Sequence, residues 1–201
     1  MKTLLSISIF LLSLCSVNAQ VRLISGDLSV LKGQTQVAAQ FSYEGTSVGK
    51  FDNEMDYVNK KVAELNEKKP GRGDEWKSSW LNDRDNRYIP KFLELISKYT
   101  AKKGPLNFQN DPNGTKYTFL INTDFLEPGF NAYVVKKYAE VRMTVRIVES
   151  QNPSNEIARL TAFGVGRTYG YGDFDTGTRI AEAYAKAGKD LGIYLTKKVL
   201  K

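Results

Sequence analysis

Residues 164–177 are the stretch of the chain best suited to chemistry: Gly164-Val165-Gly166-Arg167-Thr168-Tyr169-Gly170-Tyr171-Gly172-Asp173-Phe174-Asp175-Thr176-Gly177. Glycine lets backbone amides approach a ligand, and the N-terminus of a following helix favours an anion. Arg167 adds a guanidinium that forks onto a phosphate or carboxylate. Tyr169 and Tyr171 can stack on a sugar ring or pack against a partner protein. Arg167, Tyr169, Tyr171 and Asp173 are therefore the candidate binding residues. The stretch is no P-loop, because no Gly-Lys-Ser/Thr follows. It is no dinucleotide fingerprint either, which needs Gly-x-Gly-x-x-Gly at a strand–helix turn. It also reads as a plain strand-to-helix connection in which Asp175 or Thr176 caps the helix.

Other residue sets suggest other chemistries. Asp173 and Asp175, with Glu127 or Glu149, supply the carboxylates that glycoside hydrolysis needs ~5 or ~6.5–9.5 Å apart. Trp76 and Trp80 can form an aromatic carbohydrate platform, although at i, i+4 on an amphipathic helix they also read as core. Lysines come in doublets at 60–61, 68–69, 102–103, 136–137 and 197–198, spread along the chain rather than in a stripe. The net charge of +7 favours anionic partners, while the scatter reads as a solvated surface. Asn113-Gly114-Thr115 matches a glycosylation sequon and reads as a turn before a strand.

The missing residue types close several routes. The chain has no histidine, and its single cysteine is Cys15. A His–Cys zinc site, a Ser-His-Asp triad and a thiol nucleophile are excluded from residues 20–201. A metal site would have to be all oxygen, and the Asp-x-Asp-x-Asp-Gly loop of an EF-hand does not occur. The residues point to no cofactor.

These groups must be positioned by a small number of elements. Val37, Ala39, Phe41 and Tyr43 alternate within an extended stretch over 21–43, broken by a turn at Lys32-Gly33. Asp52 is placed to cap a helix to about Lys68, with Met55, Val58, Val62 and Leu65 as its apolar stripe. Asp74 is placed to cap a second helical stretch. Trp76, Trp80, Arg84, Tyr88 and Phe92 recur in it at four-residue spacing, and Ile96 and Tyr99 continue the face. Pro90 inside that pattern predicts a kink or restart. Three strand-like runs follow. Tyr117 to Phe125 alternate, as do Ala139 to Ile147, and Ala158, Leu160 and Ala162 share one face. Asn152-Pro153-Ser154-Asn155 is the expected hairpin turn, and residues 128–136 join the first two runs. The last helix runs from about Thr178 to Val199 on Ile180, Tyr184, Ala187, Leu191, Leu195 and Val199. Ala181, Ala185, Gly188 and Gly192 line an adjacent edge, which lets a helix lie close on a sheet. The order β-α-α-β-β-β-α predicts an α+β fold. Its antiparallel-rich, mixed sheet has four to five strands, with helices packed mainly on one face.

The strand ending Arg146-Ile147-Val148-Glu149, the Asn-Pro turn, the strand Ile157-Ala158-Arg159-Leu160, the glycine-rich loop and the closing amphipathic helix resemble a group of exported bacterial α/β domains. These include the periplasmic domain of curli-secretion-type lipoproteins and the N-terminal domain of the Tol-system propeller protein. The likeness spans about 115–200. The whole chain resembles exported proteins of Gram-negative gut-type bacteria. The resemblance implies envelope assembly or scaffolding and transfers no catalytic residue. The chain departs from the curli-type lipoproteins in lacking their pore-building segments and a small residue before Cys15, where Leu14 stands. That weighs against a secretion channel and against lipidation.

The N-terminus agrees with export. Lys2, an apolar run over 4–14 and Val17-Asn18-Ala19 before Gln20 form the three parts of a secretory signal. The run is shorter than the ~20 residues that span a bilayer. Cleavage after Ala19 leaves residues 20–201 as one domain, about right for a single core, with no thiol and no membrane-spanning segment. The sequence thus predicts a non-catalytic protein of the periplasm or outer membrane, or a secreted one, that binds an envelope protein or anionic polymer. No nucleic acid is expected. A carboxylate-dependent hydrolase and a small-ligand binder are the alternatives.

Overall fold

The computed structural model describes residues 20–104, 106–132, 134–168 and 174–200. The main sheet has seven strands, two more than the largest number the sequence suggested. Residues 21–43 are two strands, β1 (Val21–Gly26) and β2 (Gln36–Ser42), separated by a single turn of 3-10 helix at Ser29–Leu31. Two further strands, β3 (Ser47–Val48) and β4 (Asn107–Gln109), are too short to show a period. The long strands are β5 (Tyr117–Glu127), β8 (Ala139–Glu149) and β9 (Asn152–Gly166). Between β5 and β8 the connection folds on itself as a small hairpin, β6 (Phe130–Ala132) and β7 (Val135–Lys137).

The sheet runs β1-β9-β8-β5-β2-β4, with β3 also on β5. Along β1, β9, β8 and β5 each strand is antiparallel to the next. β2 lies parallel to both β5 and β4, so the sheet is mixed. The β8–β9 turn is Ser150-Gln151, with Glu149 opposite Asn152. Asn152-Pro153-Ser154-Asn155 is instead inside β9. There the register jumps from Asn152 to Glu156, so Pro153 sits in a bulge where no ladder donor is required.

The first helix, α1 (Glu54–Lys68), is capped one residue later than expected. Asn53 has the extended backbone of a cap, and its side chain accepts from the Asp56 amide at 2.9 Å. The second, α2 (Arg72–Asp83), starts before Asp74, after Gly71 at φ +84°. Gly73 lies against α1, where a Cβ would stand 2.4 Å from the Val62 carbonyl oxygen. A π-helical turn at Arg84–Tyr88 leads directly into α3 (Ile89–Thr100), with Pro90 in its first turn. On a helix of 3.6 residues per turn each four-residue step overshoots by about 40°. The wider π turn takes that drift back, so Trp80, Tyr88, Phe92 and Ile96 all stay buried.

α4 (Thr176–Lys198) and α3 cover one face of the sheet. Phe119 and Ile121 of β5, Val141, Met143, Val145 and Ile147 of β8 and Leu160 of β9 meet Ile180, Tyr184, Leu191 and Leu195 of α4 in one core. Buried apolar area contributes roughly 25 cal/mol per Å², the main favourable term in holding these layers together. Four glycines set the spacing. A Cβ on Gly164 or Gly166 would stand 2.0 or 2.1 Å from the carbonyl oxygens of Ala183 and Arg179. On Gly188 or Gly192 it would meet those of Phe92 and Ile96 at 2.4 and 2.9 Å. The α4 glycines therefore face α3, not the sheet. The close approach to the sheet is made by glycines of β9 beneath alanines of α4.

The other face carries the alternate residues. Phe163, Arg142, Phe125 and Ser47 form one cross-strand row; Arg22, Thr161, Thr144, Asn122 and Ser42 form the next. Arg22, Arg142, Arg159 and Thr161 are exposed.

Candidate functional site

Gly166 ends β9 beneath α4, and the next residue, Arg167, emerges exposed at the rim of the sheet. A groove of about 460 Å³ opens there between α3, α4 and the end of β9. Val165, Leu95 and Ala185 contribute its apolar walls. Four cations from three segments line it: Lys91 of α3, Arg167, and Lys186 and Lys189 of α4. Lys186 and Lys189 are three apart on the helix and so share its groove side. Gln20 closes one end, where its carbonyl accepts from the Phe163 amide at 2.8 Å.

The cations differ in how they are held. Lys91 is paired with Glu94 at 3.1 Å. Lys186 donates to both Asp190 and Gln20. Arg167 and Lys189 have no carboxylate partner among the described residues and lie over aromatic rings instead. Arg167 is 5.8 Å from the Tyr138 centroid and Lys189 is 5.5 Å from that of Tyr99. Such contacts orient a cation and leave its donors available. Glu182 is the one carboxylate in the lining. The arrangement suits an anion held by an arginine fork and mobile ammonium groups, with one acid for hydroxyl contacts.

Of the sequence-predicted residues, Arg167 is in this groove; Tyr169, Tyr171 and Asp173 lie outside the described residues. Trp76 and Trp80 are elsewhere, at the α1–α2 contact. Trp80 is 4% exposed, donates its indole N–H to Glu54 Oε1 at 2.7 Å, and stacks on Trp76 at 5.4 Å. Tyr57 packs on both rings. Trp80 is buried in the core, so its ring is not open to a sugar, while Trp76 is half-buried beside it.

The carboxylates expected for hydrolysis have other duties. Asp175 caps α4, accepting from the Thr178 amide at 2.7 Å and from Arg87 at 2.6 Å. Partial burial pushes its carboxyl up, but the bonds from Thr178 and Arg87 outweigh burial and hold it below the ordinary range. Asp83, also on Arg87 at 3.0 Å, is raised by burial against the pull of that arginine. Glu127 accepts from Lys137 at 2.5 Å and from the Gly129 amide at 3.1 Å. Glu127 lies opposite Glu140 near one end of β8 and Glu149 ends the strand, so they stand roughly 30 Å apart. Among the described residues no cluster of acids could hold a metal ion.

Sequence reasoning missed Lys91, Lys186 and Lys189. The i, i+3 pair on an otherwise small-residue helix was a signal. Arg179 was missed as well. It is 4% exposed, and donates to the carbonyls of Pro128 and Gly129 and to Thr176 Oγ1, fastening the 128–129 turn to the start of α4.

No protein-family model matches the chain, and no curated protein matches it in sequence. Several solved structures are similar in arrangement, among them three from bacteria. One is the PelC dodecamer from Paraburkholderia phytofirmans, at TM-score 0.38 and 11% identity over 85% of this chain and 96% of that one. A DUF330 protein from Xanthomonas campestris has a TM-score of 0.33 and 9% identity over 80% of each chain. A homolog of neuraminyllactose-binding hemagglutinin from Helicobacter pylori has a TM-score of 0.30 and 11% identity over 85% and 86%.

Proposed function

We propose that the protein is an exported, non-catalytic binding protein that holds anionic groups of an envelope polymer in the groove between α3, α4 and the end of β9. The observation that carries this reading is the convergence of Lys91, Arg167, Lys186 and Lys189, with neither Arg167 nor Lys189 paired to a carboxylate among the described residues. Gathering like charges on one surface opposes folding slightly, and a bound anion offsets that repulsion. Export is supported by the signal-like residues 1–19, and no described helix is long and apolar enough to cross a membrane.

The test is titration calorimetry of the chain with an acidic polysaccharide over a range of salt. Each exposed ion contact is worth roughly 0.5–1 kcal/mol, so Arg167→Gln with Lys189→Gln should weaken binding by roughly tenfold and flatten the salt dependence. Undiminished affinity in that double variant would remove the groove as the site. Failure of the wild type to bind any polyanion would remove the function. Mass spectrometry of protein recovered from the envelope should find Gln20 as the first residue; a retained leader would argue against export by this signal.

A further inference from the structure

Gln20 lines two concavities. One is the cationic groove on the helix side. The other, of about 710 Å³, lies on the bare face of the sheet and is lined by Ser47, Asp124, Phe125, Arg142, Thr161 and Phe163. The two therefore meet where β1 begins, at the edge of the sheet. In the second, Arg142 of β8 stands in one row between Phe125 of β5 and Phe163 of β9. Its guanidinium lies 4.6 Å from the Phe125 centroid and has no carboxylate partner among the described residues. Adjacent strands are ~4.8 Å apart, which puts the two rings roughly 10 Å from each other with the cation between them. One step along the strands are Thr161, Thr144 and Asn122. Asp124 accepts from Thr144 at 2.7 Å and from Asn122 at 2.9 Å, so these side chains form a fixed polar strip beside the aromatic row.

We infer that this face is the second half of one binding track, and that the track takes an acidic polysaccharide, a chain of uronate-bearing sugars that rounds the sheet edge at Gln20. The inference rests on the groove reading above and narrows its ligand. Phe125 and Phe163 offer faces to the apolar sides of two pyranose rings, Arg142 forks the carboxylate between them, and the hydroxyl and amide strip meets ring hydroxyls. The same lining disfavours other polyanions. β8 lies between β9 and β5, and β9 is covered by β1 over residues 158–162, so the backbone beneath this concavity is committed to the ladder and a peptide cannot be added as a strand across it. A nucleic acid needs a cation for nearly every phosphate, whereas this concavity sets one arginine beside one aspartate.

Calorimetry with galacturonate oligomers tests it, comparing a trisaccharide, too short to round the edge, with a long oligomer. The long oligomer should bind wild type about tenfold or more tighter, the worth of one charged fork and its stacking. Arg142→Gln and, separately, Thr161→Glu should remove that advantage, while the trisaccharide still binds through the groove. Both positions are exposed, and thermal unfolding checks that the variants fold. If both variants keep wild-type affinity for the long oligomer, the sheet-face track is wrong, and the groove reading survives only if Arg167→Gln/Lys189→Gln still weakens binding. If Arg142→Gln abolishes binding and the groove variant has no effect, the face stands as the polysaccharide site and the groove reading falls. If poly-glutamate or poly(dT) binds as tightly as the long galacturonate with the same dependence on Arg142, the polysaccharide assignment is overturned.

Discussion

Gly188→Ala should destabilise the protein although it places a better helix former in the middle of α4. Two effects of known size oppose each other. Alanine is favoured over glycine by ~1 kcal/mol inside a helix. Against this, the new methyl would stand 2.4 Å from the Phe92 carbonyl oxygen and 3.0 and 3.1 Å from the backbone carbons of that residue. The obstacle is main chain, so no rotamer change relieves it. Real Cβ atoms come no closer than 3.0 Å, and α3 and α4 must part by roughly 0.6 Å. α4 cannot yield toward the sheet, because Gly164 and Gly166 already press against Ala183 and Arg179 there. Overpacking of this kind costs typically 1–3 kcal/mol, and the upper end applies to a backbone obstacle. The net loss is about 2 kcal/mol, or some 4–8 °C in Tm for a chain of this size. Gly192→Ala is the internal control. Its nearest atom, the Ile96 carbonyl oxygen, is at 2.9 Å, so a shift of a tenth or two of an ångström suffices and the propensity gain roughly cancels the cost. Urea unfolding of both variants beside wild type measures the difference. A Gly188→Ala midpoint at or above wild type would refute the claim that glycine sets the α3–α4 spacing.

Tyr88→Phe should stabilise the protein by about 1 kcal/mol, because the Tyr88 hydroxyl is buried without a hydrogen-bond partner among the described residues while its ring stacks on Tyr184 at 5.1 Å. The variant keeps the ring and removes a desolvated polar group; a lowered unfolding midpoint would show that the hydroxyl has a partner in solution. Glu156 gives a pH signature: Arg159, and after it Arg146, hold its carboxyl at about 2 against an ordinary value of 4.5. Its contribution is complete above that ordinary value and drains away as pH falls toward 2, since the unfolded chain takes up the proton first. Urea midpoints should therefore fall more for wild type than for Glu156→Gln on acidification through this window, by a small amount because the cluster is solvent-screened. Parallel curves would show that the ion cluster contributes nothing.

What was legible in the sequence follows from how far each interaction reaches. Val141, Met143, Val145 and Ile147 alternate because one face of β8 is buried and the other is not, and a local pattern records that fully. β3 and β4 have two and three residues, and they are strands only because β5 and β2 stand beside them. Asn152-Pro153-Ser154-Asn155 has turn chemistry, but a bulge asks for the same residues, and only the Glu149–Asn152 register tells the two apart. The four-residue spacing from Trp76 to Phe92 was visible, whereas the π turn that makes it fit one face was not. The groove was the least legible feature: Lys91 and Lys189 are neighbours only because glycines let α3 and α4 approach. Arg142, Thr144, Arg146, Arg159 and Thr161, the polar halves of well-recognised strands, were open to notice by the same alternation that revealed the core.

The pairing of β1 with β9 also governs the order of events in time. The first strand of the sheet has no ladder partner until the last strand exists, and nearly the whole chain must be gathered before that edge can close. Loop closure over such a span is slow compared with forming α3 against α4 or the β8–β9 hairpin. A chain travelling N-terminus first through a narrow passage would therefore carry its opening strand unpaired for the whole transit. Residues 152–166, arriving near the end, would complete the sheet and, with it, the edge on which Gln20 joins the two concavities.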